Sequence, residues 1–275
     1  MVTKEIDLVV GLGEIGDPIC KILQKSGITV GYDLDSRKMN SKRYNHYKDN
    51  PISFLHICIP FTKKFVTTVT KIAKQKKPKA LVIHSTIEPY TTERIQKKLD
   101  IPIFYSATRG VHSRMIKDLK KYIKFYSVYD WAPNVKWAIT LFNKKMKKAG
   151  IKTKKMSSPL TLELAKIVVD TSYYGWLINY AQLSNMIAIK HGIDYDEMWT
   201  FSDEIQKYLG NRPKMYPGFI GGHCVIPNLE LIREKSLYKI NNINNLYASK
   251  VKNLESIKKK YNKSKKSSYD SRKIK

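Results

Sequence analysis

Cysteine is scarce in this chain, and long apolar runs are missing from it. The three cysteines lie far apart along the 275 residues, so they form neither a disulfide framework nor the spacing of a zinc site, and we expect no bound metal. Because no run reaches about 18 apolar residues, we expect no membrane span. The first residues lead directly into a predicted strand, without the apolar segment of a secretory signal. These absences favour a protein of the reducing cytoplasm.

Acidic residues are also in the minority. The chain has 51 Lys and Arg against 23 Asp and Glu, which gives a formal net charge of +28. A positive field of this kind attracts anionic substrates and polyanions, and the alternative is a lysine-rich surface that is merely solvated. No basic motif interleaved with aromatic residues stands out, so nucleic acid is an unlikely main partner. We therefore expect a small anionic substrate.

The stretch from Ile6 to Asp35 has the pattern of a dinucleotide-binding unit. An apolar strand signal, residues 8–10, leads into a G-x-G-x-x-G turn, then a helical apolar period, then a second strand that ends at Asp33. The glycines of the turn are Gly11, Gly13 and Gly16. In such a unit they permit the tight turn, the close approach of a pyrophosphate and close helix packing, and the helix N-terminus binds the phosphates. Asp33 would bind the ribose hydroxyls and repel a 2′-phosphate, which favours NAD over NADP. A glycine-rich turn in another α/β unit is the alternative.

Strands and helices alternate up to about residue 155. Alternation of this kind predicts an α/β fold, a doubly wound parallel sheet of the Rossmann type, as an NAD-binding domain over residues 1–155. Ligands of such sheets bind beyond the carboxyl ends of the strands. The residues predicted to contact the cofactor are Gly11, Gly13, Glu14, Ile15, Gly16, Asp33, Pro60, Ser85 and Thr86.

The second region, residues 156–235, is predicted to be a helical domain built on one long helix. Ser158 is a suitable N-cap with Pro159 at the first helical position. Apolar residues then recur with helical spacing up to Ile189, before Gly192, which predicts about 32 residues and roughly 48 Å of helix. A helix this long needs cover, so we expect a homodimer through it. We expect residues 236–275 to be a basic, low-complexity tail that starts helical and ends disordered, with truncation beyond about Asn241 leaving the fold intact.

Three motifs resemble the UDP-glucose/GDP-mannose dehydrogenase family, the nucleotide-sugar dehydrogenases, over about residues 5–235. They are His84-Ser85-Thr86, Glu163-Leu164-Ala165-Lys166 and Gly218-Phe219-Ile220-Gly221-Gly222-His223-Cys224. The family oxidises a sugar alcohol to a carboxylate in two NAD-dependent steps. The resemblance implies that Cys224 captures the intermediate aldehyde and that Lys166 stabilises the oxyanion. It also implies that Thr86 lies near the nicotinamide and the reacting carbon.

The chemistry is consistent with these residue types. A thiohemiacetal on a cysteine can give up a second hydride, which leaves a thioester for water to hydrolyse. A lysine ammonium nearby stabilises the developing alkoxide and favours the thiolate.

The chain departs from the family pattern at three places. Family members carry a third domain that holds the substrate nucleotide, where this chain has its lysine-rich tail. After the strand that ends at Tyr105 the family has Pro-Glu, and this chain has Ala107-Thr108. The family also places an amide on the long helix and a carboxylate on the cysteine loop, whereas this chain has Asp170 and Asn228. We hypothesise that these two side chains contact each other and that Asp170 balances Lys166.

Other interpretations remain open from the residues alone. Cys224 is also consistent with a buried structural cysteine, and Lys166 with a surface lysine. The chain as a whole is also consistent with a two-electron dehydrogenase of the 3-hydroxyacid type. It is equally consistent with a non-catalytic dinucleotide-binding module whose basic tail docks on a polyanion or a partner. Convergence of Lys166 and Cys224 near Thr86 would favour the enzyme.

Overall fold

The computed structural model describes residues 4–221 and 225–251. The chain divides into two compact units, of which the first ends at Lys166 and the second begins at Ile167. The Rossmann-type fold and the helical region predicted from the sequence are both confirmed.

A five-stranded parallel sheet forms the centre of the first unit. Its strands are β1 (Ile6–Val10), β2 (Thr29–Tyr32), β3 (Ile52–Ile57), β4 (Ala80–Ile83) and β5 (Ile103–Tyr105). Their order across the sheet is β2-β1-β3-β4-β5, and every neighbouring pair is parallel. The direction of winding reverses between β1 and β3. Ligands of open α/β sheets bind at such a reversal, beyond the carboxyl ends of the strands.

Helices cover both faces of this sheet. They are α1 (Gly16–Leu23), α2 (Ser41–Tyr47), α3 (Phe65–Lys76), α4 (Thr91–Gln96), α5 (Met115–Lys121) and α6 (Val135–Lys148). Successive side chains of a strand point to opposite faces, so Val9 and Phe54 pack with α1, α5 and α6. Leu8 and Leu55 pack on the other side with α3 and α4. Burial on both faces explains why these strands are short apolar runs without polar alternation.

A small two-stranded parallel sheet stands beside β5. It consists of β6 (Lys124–Tyr126) and β7 (Thr153–Lys155). Tyr105 and Ser127 form an antiparallel bridge with two hydrogen bonds of 2.9 Å. Because β6 runs against β5, its first residue, Lys124, lies beside the chain that leaves the carboxyl end of β5.

The long helix predicted from residue 159 to 191 is interrupted. It consists of α7 (Pro159–Leu164), an eight-residue π-helical segment (Ala165–Ser172) and α8 (Tyr173–His191). Its ends are as predicted, since the Ser158 hydroxyl accepts a hydrogen bond from Thr161 N at 3.1 Å and Gly192 is left-handed at the C-cap. The prediction of one continuous α-helix was therefore wrong over residues 165–172. Most π-helical turns are short insertions, and they occur frequently at functional sites.

Helix α7 belongs to the first unit because Glu163 joins it to the start of α4. The Glu163 carboxylate is buried and accepts hydrogen bonds from Tyr90 N at 2.7 Å, Thr92 N at 2.9 Å and the Thr92 hydroxyl at 2.6 Å. A carboxylate at the start of a helix binds N–H groups that lack partners within the helix. The division of the chain therefore falls inside the π-helical segment, whereas the sequence predicted a boundary near residue 155.

The second unit contains α8 and three further helices, α9 (Tyr195–Leu209), α10 (Val225–Glu230) and α11 (Lys239–Lys250). Asp194 caps α9 by accepting hydrogen bonds from Asp196 N and Glu197 N. The helical start expected for the tail is α11, which packs along α8 and buries Ile240, Asn244 and Tyr247. Polar side chains share its buried face, so no apolar period marked it. Residues 252–275 of the predicted tail lie outside the described residues.

A buried amide network connects α11 and α8 to the loop that precedes α10. Asn244 forms a pair of hydrogen bonds with the backbone of Ile220, through its Oδ1 at 2.7 Å and its Nδ2 at 3.1 Å. Gln182 of α8 donates to Asn244 Oδ1 at 2.9 Å and to Gly218 O at 2.7 Å. The Tyr247 hydroxyl donates to Pro217 O at 2.8 Å. Side chains of α8 and α11 therefore hold residues 217–220 in place.

We predict that Asn244→Ala lowers the free energy of unfolding by about 2 kcal/mol, because it leaves buried backbone and amide groups without partners. Asn245→Ala is the matched control, since Asn245 is exposed on the same helix and gains the same helix propensity. Urea denaturation of both variants measures the difference. Equal effects of the two substitutions would contradict a structural role for the network.

Candidate functional site

The glycine turn after β1 is shaped by close backbone contacts at two of its three glycines. Gly11 has φ +88°, and a Cβ placed on it would lie 2.9 Å from Cys58 O at the end of β3. A Cβ on Gly16 would lie 1.7 Å from Gly11 O. A Cβ on Gly13 would meet no described atom within 4 Å. Gly13 therefore leaves open space at the start of α1, as the approach of a pyrophosphate requires.

Asp33 holds the same turn from the end of β2. Its Oδ2 accepts a hydrogen bond from Leu12 N at 2.6 Å, and its Oδ1 accepts one from Asp35 N at 2.9 Å. An ionised carboxylate has further acceptor sites on both oxygens, so Asp33 can also bind ribose hydroxyls. The turn and this acid together fit a dinucleotide.

The other residues predicted to contact the cofactor lie along the same edge or beside the turn. Pro60 is exposed just beyond β3, and the Ser85 hydroxyl donates to Ile59 O at 2.6 Å, which ties the ends of β4 and β3 together. Thr86 follows and is half-buried. Glu14 is exposed and lies 2.8 Å from His112 Nδ1, and Ile15 is half-buried at the N-cap of α1.

Two stacked histidines lie buried behind this edge. His84 Nδ1 lies 3.2 Å from Ser106 O, and because a carbonyl only accepts, this nitrogen carries the proton. His84 Nε2 is therefore the acceptor for His56 Nδ1 at 2.9 Å. Burial lowers the pKa of His56 to about 3 and that of His84 well below its ordinary value. Both rings are neutral hydrogen-bonding partners at physiological pH.

A buried lysine that sequence reasoning missed completes this cluster. Lys124 is 5% exposed, and its Nζ lies 2.9 Å from Ser106 O and 3.2 Å from Thr108 Oγ1. Burial is the main cause that lowers the pKa of Lys124 to about 7; the Cys58 thiol opposes this shift, and the charges of Arg109 and Lys166 add to it. One feature of the sequence could have indicated that Lys124 is buried. Side chains alternate between the two faces of a strand, so Lys124 shares a face with the buried residues 126 and 128.

Arg109 contacts the start of β6. Its guanidinium donates to Ile123 O at 2.8 Å and lies 5.1 Å above the ring centre of Phe125. As a cation near the carboxyl edge of the sheet, Arg109 could either bind a substrate anion or stabilise its own loop. These contacts give it a role in the loop and leave part of its side chain exposed.

The residues implied by the family resemblance are described only in part. Lys166 and Asp170 are half-buried in the π-helical segment, and Asn228 is half-buried in α10. Cys224, with Gly222 and His223, lies outside the described residues. The catalytic roles of Cys224 and Lys166, and the contact between Asp170 and Asn228, therefore stay predictions.

The residue after Cys224 does have a defined position. Val225 begins α10 and is buried, and a Cβ placed on Gly175 of α8 would lie 3.0 Å from its Cγ1 and 3.1 Å from Ile240 Cγ2 of α11. Gly175 thus permits close packing of α8 against both helices. The described residues before and after Cys224 are therefore held in place, residues 217–220 by the amide network and Val225 by this contact.

The fold is similar to that of several solved dehydrogenases. UDP-D-ManNAc dehydrogenase from Pyrococcus horikoshii aligns with a TM-score of 0.72 and 18% identity, over 90% of this chain and 69% of its own. The UDP-N-acetyl-mannosamine dehydrogenase Cap5O from Staphylococcus aureus gives 0.66 and 17%, over 90% and 68%. NDP-N-acetyl-D-galactosaminuronic acid dehydrogenase from Methanosarcina mazei Go1 gives 0.64 and 14%, over 90% and 67%. Neither a family model nor a curated protein sequence matches the chain. The similarity confirms, at the level of the fold, the resemblance to nucleotide-sugar dehydrogenases.

No helix within residues 4–221 and 225–251 combines the length and the apolar character needed to cross a membrane.

We predict that Lys124→Met stabilises the protein more at pH 6 than at pH 9. The pKa of Lys124 is about 7 in the folded state, against an ordinary 10.5, so the unfolded state binds more protons between these values and the wild type gains stability as the pH rises. The advantage of the Met variant should shrink by roughly 2–3 kcal/mol from pH 6 to pH 9. Urea titrations at both pH values measure it. Lys154→Met, at an exposed position of β7, should show no such change.

Proposed function

We propose that this chain is an NAD-dependent dehydrogenase that oxidises the CH–OH group of an anionic substrate resembling a nucleotide sugar. The proposal is carried by the glycine turn, which is open at Gly13 and is hydrogen-bonded to Asp33. Ser85 and Thr86 lie along the same edge of the sheet. The similar solved structures include three dehydrogenases named for nucleotide-linked sugars, which supports this substrate class.

The cofactor would lie along the turn and the edge. Gly13 and the start of α1 would receive the pyrophosphate, and Asp33 the adenosine ribose. Pro60, Ser85 and Thr86 would face the nicotinamide half, which accepts the hydride. Asp33 disfavours a 2′-phosphate, so NAD is the proposed cofactor.

Three of the residues implied by the family resemblance would act on the reacting carbon. Thr86 would lie next to it, Lys166 would stabilise the oxyanion, and Cys224 would capture the aldehyde as a thiohemiacetal. Asp170, in contact with Asn228, would balance the positive charge of Lys166 and order a water molecule near the thiol. A reducing cytoplasm, as expected from the sequence, would keep Cys224 in its thiol form.

We predict that the protein reduces NAD⁺ when supplied with UDP-N-acetylmannosamine, followed by the absorbance of the reduced nicotinamide. Cys224→Ser should abolish carboxylate formation, because a hydroxyl is a far poorer nucleophile for the aldehyde than a thiolate. Cys20→Ala is the control, since burial in α1 raises the pKa of the Cys20 thiol to about 11 and keeps it unreactive. UDP-glucose and GDP-mannose serve as comparison substrates.

The outcomes of this assay separate the candidate functions. Two reduced nicotinamides per sugar indicate both oxidation steps, and one indicates a dehydrogenase of the two-electron type. Calorimetric binding of NAD⁺ without turnover of any of these sugars would favour a non-catalytic module. NADP⁺ that binds as tightly as NAD⁺ would remove the role given to Asp33.

We also propose that the protein is a homodimer, and the support is an exposed apolar stripe on α8. Tyr173, Trp176, Tyr180 and Ile187 follow helical spacing, and Tyr180 is 64% exposed. Large apolar side chains exposed along one face of a helix favour an interaction surface. We predict that Tyr180→Glu converts a dimeric mass into a monomeric one in light scattering. Lys207→Glu, at an exposed position of α9, should leave the mass unchanged. A wild-type protein that is monomeric at micromolar concentration would contradict the proposal.

A further inference from the structure

Lys124 and Thr108 meet at the carboxyl edge of the sheet. The antiparallel bridge between β5 and β6 brings Lys124 opposite the chain that leaves β5, and its Nζ lies 3.2 Å from Thr108 Oγ1. A second oxygen, Ser106 O, lies 2.9 Å from the same nitrogen. Both oxygens are neutral, although an ammonium ion so deeply buried normally has an anionic partner.

Thr108 follows the carboxyl end of β5, and Thr86 follows the carboxyl end of the neighbouring strand β4. The backbone N–H of Thr108 donates to His84 O at 3.2 Å, and Ile83 pairs with Tyr105 in the parallel register of β4 and β5. His84 stands two positions before Thr86 in the chain, so Thr108 is hydrogen-bonded to the segment that leads to Thr86. The chain has Ala107-Thr108 where the resembling family carries an acidic residue.

We propose that Thr108 and Lys124 form a proton-accepting pair, in which the Thr108 hydroxyl takes the proton of the substrate hydroxyl group and passes its own proton to the Lys124 amine. This inference rests on the proposed function, because it assigns the base of that dehydrogenation. The hydride leaves the carbon with its electron pair and reduces the nicotinamide. The products are a carbonyl compound, reduced NAD and a Lys124 ammonium, which returns its proton to water after turnover.

The hydrogen bonds around Lys124 favour this direction of transfer. Ser106 O can only accept, so one N–H of Lys124 donates to it whatever the charge of the lysine. When the amine is neutral it has a lone pair, and the contact with Thr108 can then run from the hydroxyl to the nitrogen. A hydroxyl that donates to an amine is a better acceptor for a further proton, since hydrogen bonds in a chain polarise one another.

The charged groups around Lys124 favour its neutral amine form near physiological pH. Arg109, from the loop after β5, and Lys166, from the π-helical segment, are cations that oppose a third positive charge. The Cys58 thiol after β3 acts in the other direction. On the β4 side, His84 shares the Ser106 carbonyl with Lys124 and is itself neutral, because burial holds its pKa well below the ordinary value.

The test compares Thr108→Val with Thr108→Ser, with UDP-N-acetylmannosamine and NAD⁺ as substrates. Thr108→Val should lower kcat by about 100-fold, the low end of what a general base contributes. Thr108→Ser keeps the hydroxyl and should stay within about 3-fold of the wild type, and Thr140→Val, at an exposed position of α6, should do the same. Calorimetric titration should give the same NAD⁺ affinity for all four proteins, so that the loss lies in the chemical step.

The pH dependence gives a readout that a merely structural threonine would not change. The wild-type kcat should rise with pH and level off above about 7, where the Lys124 amine is neutral, and the Val variant should lose this step. Independently of catalysis, the protein with ¹³C-labelled lysine side chains should show one lysine that titrates near this pH in the absence of substrate. That signal should be missing from Lys124→Met.

The results that would overturn the pair are distinct from a failure of the proposed function. A Val variant that keeps kcat, a Ser variant that loses as much as Val, or a Lys124 that remains protonated at pH 9 would each overturn it while the wild type stays active. A wild type that oxidises no nucleotide sugar overturns the proposed function and the catalytic role of the pair together. In that case the lysine titration still reports whether the amine is neutral.

Discussion

The carboxyl edge of the first sheet depends on one close backbone contact. Gly11, Gly16 and the end of β3 approach so closely that a Cβ on Gly16 would lie 1.7 Å from Gly11 O. This contact sets the position of α1 against β1 and β3, and the hydrogen bond from Leu12 N to Asp33 adds β2 to the same arrangement. The crevice between β1 and β3 is therefore defined by backbone atoms. The positions of the side chains along this edge are then set by the strands to which they belong.

The parts of the fold that could be predicted are those in which apolar spacing or backbone geometry decides the structure. The parallel strands are short apolar runs because both of their faces are buried, and the glycine spacing locates the first turn. The cap of the long helix at Ser158 and its end at Gly192 follow from local hydrogen bonding and from a left-handed residue. At these positions the residue type alone indicates the backbone conformation.

The features that could not be predicted are of another kind: two are buried polar side chains, and one is a change of helix type. The buried face of α11 includes Asn244, and an asparagine in a sequence does not show whether its amide is paired inside the protein or solvated. Lys124 looks like any other lysine until its two oxygen partners are known. The π-helical segment keeps the apolar spacing of a helix over eight residues, too short a stretch to separate the two periods. Buried polar groups are tolerated only when each has a partner, and partners distant in sequence leave no local pattern.

The uncharged side chain of Thr108 and the buried Lys124 can be understood together. A carboxylate at position 108 would stand within hydrogen-bonding distance of the Lys124 nitrogen, and an opposite charge at that distance stabilises both ionised forms. The lysine would then remain an ammonium and the acid a weak base, so neither would accept a proton readily. A neutral threonine leaves burial, Arg109 and Lys166 as the influences that keep the pKa of Lys124 low. An uncharged residue at position 108 is therefore a condition for a basic amine at position 124.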